Sequence, residues 1–401
     1  MRPFTSTISF ERALEIMLAA ARPIDRTEVV PLSESDGRVA VEDVSAPFDV
    51  PPFDRAAMDG YAVLANDTRT SSADNPVALK FLGRALTGEV SQISVGTGTC
   101  VEIATGAPVP PGADAVVMVE ETSRHGDVVH VKAPVRAGQN IGRRGSDLAR
   151  GDSAIAAGEP LNPSRMGALA AAGVDRLSVY ARPVVAIIST GNEVAEPGVP
   201  LAPGQIYDVN RITVGTVVRR HGGVSKPYSI AGDTTEALLQ VLDEATVHDI
   251  VVFSGGSSVG ERDLVRDALV MRGEMHFHGI AVKPGKPTGF ATVRHTPVFA
   301  MPGNPTSCLS NAYMLLVPFL RRMARLPPWQ PNIVRAPLAR AIKSTTGRLQ
   351  FYTVRVIDGR VEPAFKASGD ITSMAKADGY IEIPANVDVV EEGSEVVVKL
   401  F

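Results

Sequence analysis

The feature that most constrains this chain is a unit that recurs between residues 182 and 325: an apolar run, a loop of glycine and small hydroxyl residues, then a helical pattern. RPVVAIISTGNE ends in Ser189-Thr190-Gly191, HDIVVFSGGSSVGERD in the loop 254–260, and TPVFAMPGNPTSCLSNAYMLL in the loop 301–307. Apolar runs without alternation are those of strands buried on both faces of a parallel sheet. Their alternation with helices predicts a doubly wound α/β domain. NRITVGTVVRRHGG reads as a helix closed by glycines, and GDTTEALLQVLDEA as another, with Asp233 at the N-cap and Glu236 at N3. GIAVKPGKP reads as a further strand and loop, and Asn304 as an N-cap with Pro305 at N1. Ligands of open α/β sheets bind beyond the carboxyl ends of the strands. The STGNE, SGGSSVG, KPGKP and MPGNPTS loops are therefore expected to converge on one crevice.

Around this domain the texture differs. Residues 46–151 carry short alternating runs such as VVMVEE and VVHVKA between turn signals, which predicts a mainly β domain. LNPSRMGALAAAGV, within 152–181, reads as one short helix started by Asn162 or Ser164. Phe10, Ala13, Leu14, Met17, Leu18 and Ala21 give the N-terminal segment an amphipathic helical spacing, and Glu11 and Glu15 interrupt any signal-peptide core. Beyond the Pro-rich stretch 326–332, short strands with a turn at Asp358-Gly359 predict a small β domain. At 401 residues, two to four domains are expected. The net charge of −4 gives no case for nucleic-acid or membrane binding, so any anion site is local. The apolar runs are too short to span a bilayer, and two cysteines, Cys100 and Cys308, make neither a disulfide framework nor a metal cluster. A soluble cytoplasmic protein is the simplest expectation.

Three loops carry the chemistry. In SGGSSVG, Ser254, Gly255, Gly256, Ser257, Ser258 and Gly260 offer hydroxyls and unobstructed backbone N–H groups before a helix start at Asp263. In MPGNPTS, Gly303 allows close approach, while Asn304, Thr306 and Ser307 gather at another helix start. Either loop alone could be an ordinary capped turn. VKPGKPTGF adds Lys283 and Lys286, each followed by proline on a stiff loop bent at Gly285. A cation held rigid loses less entropy when an anion binds. Among carboxylates, Glu193 follows the STG loop, and Asp233 and Asp263 begin helices. A carboxylate beside a phosphate site is a common Mg²⁺ ligand, although the capping box alone accounts for Asp233. His276 and His278 share a strand face without a third ligand at metal spacing. No P-loop, nucleophile elbow, dinucleotide fingerprint or HExxH is present.

Taken together, PPFDRAAMDGYAV (51–63), IATGAPVPPGADAVV (103–117), GQNIGRRGSDL (138–148), STGNE, IYDVNR, SGGSSVGERD, KPGKP, PGNPTS and GRLQFYTVRV (347–356) run in order along nearly the whole chain. This set resembles the MoeA-type molybdopterin molybdenumtransferases, to which the E domain of gephyrin is similar. The resemblance implies a chemistry: molybdenum from molybdate enters adenylylated molybdopterin, with Mg²⁺-dependent cleavage of its pyrophosphate and release of AMP. It also implies four parts: a stalk from 27–45 and 152–181, the β domain 46–151, an adenylyltransferase-like α/β domain from 1–26 and 182–331, and a β-barrel-like domain 332–401. The family works as a homodimer with a shared active-site cleft, between a molybdopterin adenylyltransferase upstream and molybdoenzymes or their chaperones downstream.

By motif, the resemblance assigns Asp59, Thr105 and Asp147 to the site from the partner chain. Glu193, Asp233 and Asp263 fall on its acidic positions, the two aspartates as Mg²⁺ ligands. Lys283, Lys286, Pro287, Arg348 and Ser368 match the molybdate-holding part, and Pro302, Gly303, Asn304, Pro305 and Ser307 line the substrate. Two lysines and an arginine fork suit a dianion. Two departures stand out. GGSSVG lacks the branched apolar residue common before its second serine, and Asp370 adds negative charge beside Ser368, which leaves Ser373 as the alternative. A gephyrin-like scaffold and the adenylyltransferase step are the competing functions. The first is disfavoured by the lack of a fused adenylyltransferase domain and long linker, the second by the MDGYAV and GRLQF motifs.

Overall fold

The computed structural model describes residues 7–255, 263–365 and 369–401. The chain forms two compact units, one of Met1–Glu28, Gly37–Val39 and Val179–Phe401, the other of Val29–Asp36 and Ala40–Ser178. The four-part division expected from sequence is finer than this partition.

In the first unit a six-stranded sheet runs in the order Val224–Pro227, Val184–Ser189, Ile250–Ser254, Thr296–Met301, Gly289–Val293, Gly273–His278. The first four strands are parallel. The last two are antiparallel, so the sheet is mixed rather than uniformly parallel. Side chains alternate between two cores. Val185, Ile187, Val252 and Phe299 face the helices Phe10–Ala20 and Asn210–Arg220 and the run Pro305–Met323. Ala186, Ile188, Val251 and Phe253 face Thr235–Ala245 and Leu264–Arg272. Burial on both faces is why these strands read as unbroken apolar runs.

Two local expectations are corrected. The helix Thr235–Ala245 is capped by Thr234, whose hydroxyl accepts from Ala237 N–H at 3.2 Å, and not by Asp233. DTT presents two competent caps in succession, and the spacing alone does not choose between them. The strand in GIAVKPGKP, Val282–Lys283, leaves the α/β sheet and pairs in parallel with Leu349–Gln350 of the C-terminal sheet. That sheet runs Val282–Lys283, Leu349–Ile357, Gly379–Ile383, Glu395–Leu400, Ile333–Pro337. Arg360–Pro363 forms a hairpin with Leu349–Ile357 through Asp358 and Gly359, at φ 48° and 74°, as a primed turn requires. Leu338 bridges Val361, which joins the Ile333–Pro337 edge to that hairpin and closes the strands into a ring.

The second unit holds a six-stranded sheet in the order Ala115–Met118, Gly60–Val63, Thr99–Ile103, Val77–Ala85, Val128–Val131, Thr122–His125. Tyr61, Val63, Cys100 and Val117 pack on one face, and Ala62, Val101, Ile103 and Val116 on the other. The short helix Pro163–Ala171 starts at Asn162, whose side chain accepts from Arg165 N–H at 2.9 Å. Among the described residues no helix is long and apolar enough to cross a membrane.

Candidate functional site

The loops of the first unit meet at the carboxyl edge of its parallel strands. Thr190 N–H donates to Ser254 O at 3.0 Å, and Gly255 N–H to Met301 O at 3.3 Å. The Ser189 and Ser254 hydroxyls lie 3.2 Å apart. Gly255 sits at φ +100°, where a Cβ would meet Thr190 O at 2.5 Å, and a Cβ on Gly303 would reach Gly255 Cα at 3.3 Å. The loops touch backbone to backbone: a side chain on Gly255 would be driven into Thr190, and one on Gly303 would press on Gly255 by a few tenths of an ångström. Around them lies a cavity of about 490 Å³ bordered by Thr190, Glu193, Ser254, Gly255, Lys286, Pro287, Pro302, Gly303, Asn304 and Pro305.

The KPGKP loop reaches the same edge by a different route from the one its sequence suggested. It does not follow a strand of this sheet. It precedes Gly289–Val293, whose antiparallel course places Gly289 opposite Ala300, near the carboxyl end of Thr296–Met301. A second cavity, about 340 Å³, adjoins the first and shares Lys286, Pro287, Pro302 and Asn304 with it. Lys283, Ser307 and Arg348 complete its polar lining. Lys283 Nζ donates to Thr345 Oγ1 at 2.7 Å, so this ammonium is held from the C-terminal sheet's side. Three cations in the lining of one cavity suit an oxyanion.

The acidic candidates are placed individually. Glu193 is exposed at the rim, its carboxylate folded back over Gly191. Asp233, released from capping, accepts from Asn192 N–H through Oδ2 at 3.0 Å, tying its loop to the STGNE loop. Asp263 caps Leu264–Arg272 by accepting from Arg266 N–H at 3.0 Å, and its Oδ2 lies 2.9 Å from His278 Nε2. His276 instead meets Thr292 Oγ1 at 2.8 Å. Among the described residues no cluster of three His, Cys, Asp or Glu side chains forms a metal cage. Gly256, Ser257, Ser258, Gly260 and Ser368 lie outside the described residues. Ser373 is fully buried in the turn Thr372–Ala375, and Thr306 Oγ1 donates to Asp370 O at 3.1 Å.

In the second unit Asp59 and Thr105 come together. Asp59 Oδ1 accepts from Thr105 N–H at 2.7 Å and from its hydroxyl at 2.9 Å. These bonds favour the ionised carboxylate and hold its pKa below the usual range, the backbone donor contributing most. Asp147 is exposed on the loop after Arg143 and Arg144, its N–H donating to Val50 O at 3.0 Å. Arg143 pairs with Asp54 and Arg144 with Asp49.

Sequence reasoning gave no role to two residues of IYDVNR that border the larger cavity. Asp208, 3% exposed, accepts from Arg211 N–H at 3.0 Å. Asn210 donates through Nδ2 to Gly303 O at 2.8 Å and so fixes the PGN loop. A polar residue at a helix start carries a capping signal whether or not it also lines a pocket, so only the motif's recurrence could have flagged them.

A glycine-floored cavity at helix starts, adjoining one lined by three cations, at the carboxyl edge of parallel strands, is the ligand-site arrangement of an α/β protein. The chain belongs to the MoeA family. Residues 8–173 match the MoeA N-terminal region (domain I and II), 186–322 a domain described as "Probable molybdopterin binding domain", and 335–401 the MoeA C-terminal region (domain IV). It is 36% identical over 397 residues to molybdopterin molybdenumtransferase 2 of Mycobacterium tuberculosis, covering 96% of each chain. It is 31% identical over 405 residues to the molybdopterin molybdenumtransferase of Haemophilus influenzae, covering 98% of each. A molybdopterin biosynthesis MoeA protein from Pyrococcus horikoshii superposes with TM-score 0.84 at 32% identity, covering 99% of this chain and 100% of that one.

Proposed function

We propose that the chain is a molybdopterin molybdenumtransferase, inserting molybdenum from molybdate into adenylylated molybdopterin with release of AMP. The observation that carries this reading is the pair of adjoining cavities. One is floored by glycines at helix starts and the other is walled by Lys283, Lys286, Arg348 and Ser307. The near full-length relatives named for this activity support it.

In this reading the larger cavity holds the phosphates, which accept from backbone N–H groups around Gly255 and Gly303 and from the Ser254 hydroxyl, with Gly256, Ser257, Ser258 and Gly260 continuing that loop. The smaller one holds molybdate between Lys283, Lys286 and the Arg348 fork, with Ser307 and either Ser368 or Ser373 as hydroxyl donors. Lys286, bordering both cavities, fixes the oxyanion beside the pterin. Water cleaves the P–O–P bond and AMP departs. The two dithiolene thiol protons leave with two molybdate oxygens as hydroxide, and molybdenum stays at +6, so no electron moves.

Of the carboxylates present, Asp233 and Asp263 would be the ones to hold Mg²⁺, Asp233 being left out of the helix cap and Asp263 keeping its cap to Arg266 N–H. Bound there, the ion would neutralise the pyrophosphate. Glu193, at the rim, would orient the attacking water in this reading. By the family resemblance, a homodimer would bring Asp59, Thr105 and Asp147 of the second protomer to this cleft in the cytoplasm. A molybdopterin adenylyltransferase would act upstream, and molybdoenzymes or their chaperones downstream.

The deciding experiment incubates purified protein with adenylylated molybdopterin, molybdate and Mg²⁺, scoring AMP and active cofactor. Lys286→Ala and Asp263→Ala should each abolish molybdate-dependent AMP release, and unchanged release would sink the site assignment. Sedimentation at working concentration should give a dimer.

A further inference from the structure

The KPGKP loop is stiffened by something its sequence does not show. Asn311, the last residue of the helix Pro305–Asn311, is fully buried. Its Nδ2 donates to Gly285 O at 3.0 Å and to Thr288 Oγ1 at 2.5 Å, across 26 and 23 residues of chain. Thr288, 1% exposed, donates in turn to Gly285 O at 2.8 Å. Gly285 sits at φ +103°, and a Cβ there would lie 2.4 Å from Asn311 Nδ2, so the bend and the amide are fitted to each other. The Lys286 carbonyl is held as well, accepting from Ile280 N–H at 3.0 Å and Thr288 N–H at 2.9 Å.

Two observations set this amide apart from routine core polarity. Among the described residues Asn311 Oδ1 is buried with no hydrogen-bond partner, so the amide is only half satisfied by them. Such a group is a net cost in stability, and a role in orienting its partners accounts for its being kept. The helix also passes directly into a π-turn, Ala312–Leu316, closed by Val317 N–H to Ala312 O. Single π-turns collect at functional sites, where they re-aim a helix face.

We infer that Asn311 is the positioning residue of the oxyanion pocket: its amide sets the bend at Gly285 and thereby the separation and direction of Lys283 and Lys286. It touches no substrate itself. The inference rests on the molybdate reading of the smaller cavity.

The test compares Asn311→Ala, Thr288→Val and Lys286→Ala in the full chain. It uses steady-state kinetics in molybdate and in adenylylated molybdopterin, and equilibrium dialysis of molybdate alone. Asn311→Ala and Thr288→Val should raise the molybdate KM and dissociation constant by about tenfold or more, because sub-ångström misplacement of charged groups is costly. The KM for adenylylated molybdopterin should stay within about twofold, and kcat at saturating molybdate should be largely retained. Unchanged molybdate binding, or equal shifts in both KM values, overturns the inference. If Asn311→Ala does not fold, the near-isosteric Thr288→Val decides. If Lys286→Ala leaves molybdate binding intact, the oxyanion reading itself falls and takes this inference with it. If only Lys286→Ala weakens binding, the reading stands and the role of Asn311 is refuted.

Discussion

Asp59 illustrates how a motif residue gains its chemistry from a partner far along the chain. Two donors from Thr105 converge on one carboxylate oxygen, so the folded state favours the charged form. A folded pKa below the unfolded value stabilises the protein above the unfolded pKa, and that contribution is lost as pH falls through the folded one. Asp59 should therefore titrate below a reference aspartate in an NMR pH series, and Thr105→Val should move it back up. An unshifted Asp59 would mean that the pair does not form in solution. Gly60 beside it has an equally concrete role: a Cβ there would lie 1.8 Å from Val117 O in the neighbouring strand. From the sequence Asp59, like Asp147, looks like a surface turn position, because proximity to Thr105 is a property of strand pairing and not of local spacing.

At the scale of elements, the strands buried on both faces and most helix starts were legible, because an apolar run and a capping residue are local signals. Partner choice was not. The antiparallel pair Gly273–His278 and Gly289–Val293 carries no mark of its direction, and two-residue Val282–Lys283 carries none of its sheet. Asn311 was hidden inside SCLSNAYMLL, where an isolated polar residue reads as tolerated helix surface until Gly285 is seen against it. The cap assignment can be checked directly. Thr234→Ala should cost about 1 kcal/mol in denaturant unfolding, while Asp233→Ala should cost clearly less; the reverse order would restore the sequence-based cap. A second element-scale prediction concerns the end of the helix Asn210–Arg220. His221 is buried against Tyr313 and Trp329, and burial, reinforced by Arg321 and Arg220, pushes its pKa down to about 4. The unfolded chain binds the proton near the ordinary value of about 6.5. Stability from the neutral ring is thus complete above that value and declines as pH drops toward 4. Thermal midpoints between pH 7 and 4 should fall less steeply for His221→Gln than for the parent.

For the molecule as a whole, the two units have separate cores, the cations of the smaller cavity all belonging to the unit that contains Val179–Phe401. Unfolding of a chain built this way need not be two-state. A ligand stabilises only what it binds, by about 2.7 kcal/mol at a hundred times its dissociation constant. Calorimetry with added molybdate should therefore raise the transition of that unit and leave the other in place. Equal movement of both, or of neither, would count against the assigned pocket.

The transfer of Val282–Lys283 to the C-terminal sheet has a mechanical consequence. Lys283 is anchored beside Gln350 and Thr345, while Lys286, three residues on, has its carbonyl clamped at the entrance to Gly289–Val293. The gap between the two ammonium groups is consequently spanned by a single bent strut with one foot on each sheet. In the oxyanion reading proposed above, each sheet would hold one of the two lysines against the dianion, so the width of the gap would follow from how the ring of strands packs on the α/β layer.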